Sequence, residues 1–140
     1  MYLERLLEIM RRTPPGPTTS YARSALVIPA IARITGMAER SDVAEVAAQA
    51  VLSSSSATPL HTGWARVGLA LMAVLRVDTA TAWEQYTILE PQKGAMLGLT
   101  IIASDRLLGL LSQTMGNLGQ AATHLEDSLD FCRSCRASNV

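Results

Sequence analysis

The side chains able to do chemistry are few, and most stand near the C-terminal end. Cys132-Arg133-Ser134-Cys135 is a CxxC. Two thiols at that spacing suit a soft metal ion or a dithiol–disulfide couple. Zinc in a structural site takes four ligands; His124 offers a third, while His61 belongs to a distant stretch of chain. A redox role needs a thioredoxin-like sheet, and no strand–helix context surrounds the pair. The reading taken is two tail cysteines with neither metal nor cofactor. An air-formed disulfide and a bound metal remain the alternatives, decided by metal analysis of fresh protein.

His124, between Ala121 and Ser128, is expected on the exposed side of a helix. No serine, cysteine or carboxylate stands at a triad-like spacing from it, so a solvated histidine is expected. Glu126, Asp127 and Asp130 cluster near a helix C-terminal end, a placement the helix dipole disfavours, and read as a solvated face. Gly109, Gly116 and Gly119 make no phosphate loop, and no GxGxxG or GxxxxGK[ST] is present. Met72, Met96 and Met115 read as core filler. No catalytic residue is assigned, and the chain is not expected to be an enzyme.

Charge and hydropathy narrow the partners. Twelve basic and twelve acidic residues cancel, which argues against nucleic acid, whose phosphates demand a Lys/Arg excess. The most apolar stretches, Val67–Leu75 and Ala95–Ala103, are about half the roughly 20 residues a bilayer span requires. Met1 to Arg12 carries Glu4 and Glu8 and lacks the apolar run of a secretion signal. A soluble cytoplasmic protein without a membrane partner is expected.

The elements that must position these residues are helical throughout. Twenty alanines and nineteen leucines among 140 residues favour helix, and no segment alternates with period two. Leu3, Leu6, Leu7 and Met10 share one face of a helix over 2–12, closed by Pro14, Pro15 and Pro17. A second helix, capped by Thr19 or Ser20, runs to about 34, with Pro29 expected to kink it or delay its start. Asp42 and Glu45 start a third, to about 54. Thr58-Pro59 starts a fourth to about 76, and Asp78 a fifth bounded by Pro91. A loop follows over 93–98; Ser104 or Asp105 begins a sixth helix, and Asn117 with Gln120 a seventh ending near Cys132.

A spacing repeats along these helices. Leu69-Ala70, Ala82, Tyr86 and Leu89 recur 39 residues later as Leu108-Gly109, Ala121, Leu125 and Ser128. A degraded copy, offset by 38, reads Ile31-Ala32, Ala44, Ala48 and Val51. Ala70, Gly109, Ala82 and Ala121 let paired helices approach closely, and Tyr86 and Leu125 fill the gap to the next hairpin. Over about 20–132 this pattern resembles the tetratricopeptide repeat, with a longer period and no closing proline after Ser128. The run Asp105–Gly116, with Gln120–Asp127, Tyr86–Gln92 and Met96-Leu97, is also similar to the C-terminal repeat region of bacterial signalling proteins. Those proteins join a nucleotide-cyclase or helix-turn-helix module and an ATPase to such an array. None of the cyclase or ATPase motifs is present, so the resemblance carries no enzymatic activity over.

The resemblance implies an all-α fold of about seven helices, stacked as antiparallel hairpins in a short right-handed superhelix. Residues 1–18 form a leading helix and linker, 19–132 three hairpins (about 19–56, 57–94 and 102–132), and 133–140 a divergent tail. The chain reads as part of a longer array. A concave face would present Trp64, Val67, Leu71 and Val74, then Arg106, Leu110, Gln113 and Thr114, an apolar groove with one arginine for a protein or peptide segment. Core packing of its apolar members is the preferred use of these residues. Trp83, beside Ala82, is expected between hairpins. Leu118, Leu125 and Leu129 form an apolar stripe on the last helix, from which a homo-oligomer, most simply a dimer, is expected. The expected function is a non-enzymatic interaction or scaffold module of a signalling or transcription regulator. The alternative is a sensor holding a small apolar molecule among Trp64, Met72, Tyr86 and Met96.

Overall fold

A computed structural model describes residues 2–14, 16, 18–36, 41–92, 96–97 and 102–138. Among these, seven α-helices run α1 Tyr2–Arg12, α2 Thr19–Thr35, α3 Ser41–Leu52, α4 Pro59–Arg76, α5 Thr79–Leu89, α6 Ser104–Thr114 and α7 Leu118–Ser138. The fold is all-α, as composition and periodicity imply. One short turn of 3-10 helix, Glu90–Gln92, follows α5. A two-residue antiparallel ladder pairs β1 (Met96–Leu97) with β2 (Ile102–Ala103) ahead of α6. It pinches shut a segment expected to be plain loop; the rest of that segment, at 93–95 and 98, lies outside the described residues.

Local chemistry sets most boundaries. Thr58 Oγ1 accepts from His61 N at 3.2 Å with Pro59 leading α4, and Asp78 accepts from Thr81 N at 3.2 Å and Thr81 Oγ1 at 2.6 Å. Those bonds, side-chain first, hold the Asp78 carboxyl below its ordinary value. Asn117 caps α7, its Oδ1 accepting from Gln120 N at 3.3 Å and its Nδ2 donating to Gln120 Oε1 at 2.9 Å. At α2 the cap is Thr18, one residue before the expected Thr19. Pro29 lies inside α2 as expected, and the late start offered there fails because α2 begins at Thr19. α7 continues to Ser138, past the end expected near Cys132.

Packing follows chain order with a skip. α2 packs on α3 and α4, α3 on α4, α4 on α5 and α6, α5 on α6, and α6 on α7, with α1 against α2. The first helices α2, α4 and α6 thus touch in succession, and each second helix touches the first helix that follows it. α1, α3, α5 and α7 start at residues 2, 41, 79 and 118, at intervals of 39, 38 and 39. Leu6, Leu7 and Met10 of α1 bury against the same core as Ala44, Ala48, Ala82 and Tyr86.

The α2–α4 contact has a particular cause. Pro29 has no N–H to give the carbonyl four residues back, that of Ala25. Gly68 of α4 fills the vacancy from outside. A Cβ on Gly68 would sit 1.9 Å from the Ala25 carbonyl oxygen, so the hydrogen occupying that direction points at the oxygen. The other close approach, at Gly109, is of a different kind. A Cβ there would meet Leu125 Cγ at 2.8 Å and the Ala121 carbonyl oxygen at 3.3 Å.

Candidate functional site

Three helices contribute to a buried polar cluster that the sequence reading did not anticipate. α5 supplies Tyr86, the first turn of α6 supplies Asp105, and α7 supplies His124. Tyr86 Oη lies 2.7 Å from His124 Nε2, and His124 Nδ1 lies 3.3 Å from Asp105 Oδ1. The carboxylate only accepts, so in the neutral ring Nδ1 carries the hydrogen and Nε2 accepts from the Tyr86 hydroxyl. The Tyr86 and His124 rings meet edge to face with centroids 5.6 Å apart. His124 is only 7% exposed, which overturns its expected place on a solvated helix face. Its partners stand 19 and 38 residues away in the chain, outside any local spacing rule.

Burial first, then the negative charge of Glu90, push the Tyr86 phenol above its ordinary value; the Ser112 hydroxyl beside it acts the other way, and the Asp105 charge adds a still smaller push upward. The Ser112 hydroxyl is fully buried and makes no hydrogen bond of good geometry among the described residues. Tyr86, His124 and Asp105 are all buried. Asp127, one turn beyond His124 on α7, is exposed and brings a carboxylate oxygen to the outer side of the cluster.

The residues expected to form a groove separate. Trp64, Val67 and Leu71 are interior, with Trp64 only 8% exposed. Their burial is the core packing preferred for them over a concave surface, because α2 and α6 both pack on α4. Arg106 and Gln113 are exposed and Leu110 is half-buried. Arg106 is not the lone arginine expected: burial, then the Arg106 charge, holds the Arg33 guanidinium below its ordinary value, which places the two cations in one field. Trp64 and Tyr86 also lie inside the packed core with Met72, while the side chain of Met96, the fourth member of the alternative pocket, lies outside the described residues.

Ala70, Ala82, Tyr86, Gly109 and Ala121 are buried, and Leu125 is half-buried against Gly109. Trp83 is not: it is 65% exposed, having been expected between hairpins. One residue beyond Ala82 is about 100° around the helix, enough to face away from the contact. On α7, Leu118 and Leu129 are 68% and 56% exposed, whereas Leu125 turns inward and leaves the expected stripe incomplete. Cys132 and Cys135 are exposed on α7, apart from the buried His124.

Against protein-family models, curated proteins and solved structures, the chain matches none. Among the described residues, no helix is long and apolar enough to cross a membrane.

Proposed function

We propose that this chain is a non-enzymatic helical-repeat module, tetratricopeptide-like with a right-handed superhelical build, that holds a protein or peptide partner within a signalling or transcription regulator. The observation that supports this reading best is Trp83, 65% exposed in the middle of a well-formed helix. A surface tryptophan offers more contact area per ordered side chain than any other residue, and such residues dominate interface energetics. Val46 on α3 and Leu118 and Leu129 on α7 are also more than half exposed, so the second helices carry much of the accessible apolar surface. The partner face thus moves from the first helices, where it was expected, to the second. Balanced charge suits a protein partner over nucleic acid. Self-association through Leu118 and Leu129 is the homo-oligomeric form of the same idea.

Photo-crosslinking in the source cells tests it. A benzophenone side chain at position 83 is expected to yield one discrete protein adduct. The same group at exposed Arg133 is the control. An adduct at twice the 15.0 kDa chain mass would identify a second copy as the partner. Identical diffuse labelling from both positions would remove the surface from consideration and the reading with it.

A further inference from the structure

Asp105, His124 and Asp127 each bring one ligand atom into a space where those atoms lie within 4.8 Å of one another. His124 and Asp127 are three residues apart and so share one face of α7. Asp105 comes from the facing end of α6, and the cluster opens to solvent through exposed Asp127. Two details go beyond proximity. The His124 Nδ1 to Asp105 Oδ1 separation, 3.3 Å, exceeds the roughly 2.7–2.9 Å of a charge-assisted hydrogen bond. It matches the edge of a zinc tetrahedron, since two ligands about 2.0–2.1 Å from one ion stand roughly 3.3 Å apart. The second detail is Ser112, whose buried hydroxyl stands next to Tyr86 without a hydrogen bond of good geometry.

We propose that Asp105, His124 and Asp127 bind one zinc ion at the α6–α7 contact, with Tyr86 as the outer partner of His124 and water completing the coordination. The site also gives the Ser112 oxygen a well-placed donor. Coordination through Nδ1 requires the ring hydrogen on Nε2, which then donates to the Tyr86 oxygen. The Tyr86 hydroxyl hydrogen, displaced from Nε2, turns to the Ser112 oxygen. The ring gains and loses no net proton; only its tautomer changes. Asp127 closes on the ion by rotating an exposed side chain. Two carboxylate ligands, with Glu90 close enough to act on Tyr86, supply negative charge that a divalent cation offsets. The bound ion fastens the first turn of α6 to α7, a role needing no substrate and compatible with a binding module. The Cys132–Cys135 pair has no part in it.

The test is calorimetric titration of the full chain carrying Cys132→Ser and Cys135→Ser, stripped with chelator, using zinc sulfate and, separately, magnesium chloride. One zinc per chain is expected, with no response to magnesium, which demands octahedral oxygen ligation. Asp127→Asn alters an exposed side chain and spares the core. It is expected to weaken binding by at least the roughly tenfold that loss of an outer partner costs. Tyr86→Phe, checked for folding by circular dichroism, is expected to weaken it roughly ten- to hundredfold. Absence of saturable zinc binding, equal affinity in Asp127→Asn and its parent, or an equal response to magnesium would each overturn the proposal.

Discussion

At the α2–α4 contact, Gly68 faces the Ala25 carbonyl that Pro29 leaves without a partner, and fully buried Ala22 and Ala65 lie one turn away. At the contact of α6 with α7, small residues again admit close approach, yet Asp105, His124 and Tyr86 of α5 are sealed within it. The first contact joins backbone to backbone, with an exposed polar bond between Thr19 and His61 at its end; the second is joined by buried polar side-chain ends. Both bury a glycine, but the atom each glycine faces differs. A carbonyl oxygen inside a helix cannot retreat, whereas a leucine side chain has rotamers to spare. Tolerance to substitution, and sensitivity to ions, should therefore divide the molecule in two.

The largest effect should come from Gly68→Ala. Its methyl would sit 1.9 Å from the Ala25 oxygen, so α4 must shift as a body. A loss of about 3 kcal/mol is expected in urea unfolding, at the upper end for overpacked cores; a neutral result would mean that α2 and α4 can slide apart freely. Next is Tyr86→Phe, which strands the buried His124 Nε2 at a cost of about 2 kcal/mol. Equal stability would show the polar cluster to be irrelevant to the fold and erase the contrast. Smallest is Gly109→Ala, where gained helix propensity opposes the contact with Leu125 and leaves a net loss of about 1 kcal/mol. Pairing it with Leu125→Ala should give strong coupling in a double-mutant cycle; simple additivity would show that Leu125 is not what Gly109 makes room for.

Much of the framework was legible because helix starts are local events. Thr58-Pro59, Asp78 and Asn117 announce themselves within four residues, and each caps its helix as expected. The small residues Ala70, Ala82, Gly109 and Ala121 stand out in the sequence through their spacing, and all four are buried. Gly68 escaped notice because its reason lies in Pro29, 39 residues earlier on another helix. His124 was misplaced for the same kind of reason: neither Tyr86 nor Asp105 is its neighbour in the chain, and a periodic face does not reveal what is sealed against it. Trp83 was misplaced by its neighbour, as adjacency in a helix means a turn of about 100° and not a shared face. For Trp64, Val67 and Leu71 the analogy offers a groove and their apolar character the core, and the core holds them because α2 and α6 both pack on α4.

α7 spans 21 residues against 11 in α6, about 31 Å against 16 Å at 1.5 Å per residue. Its second half thus projects past its partner as a rod, with residues 132–137 exposed. Anything attached there inherits a defined bearing, because each added residue advances the attachment about 1.5 Å and turns it about 100°. Cys132 and Cys135, both exposed on this rod, differ in azimuth by only about 60°. Fluorophores placed on one thiol and then the other would report the orientation of the whole molecule on a surface, without touching its interior.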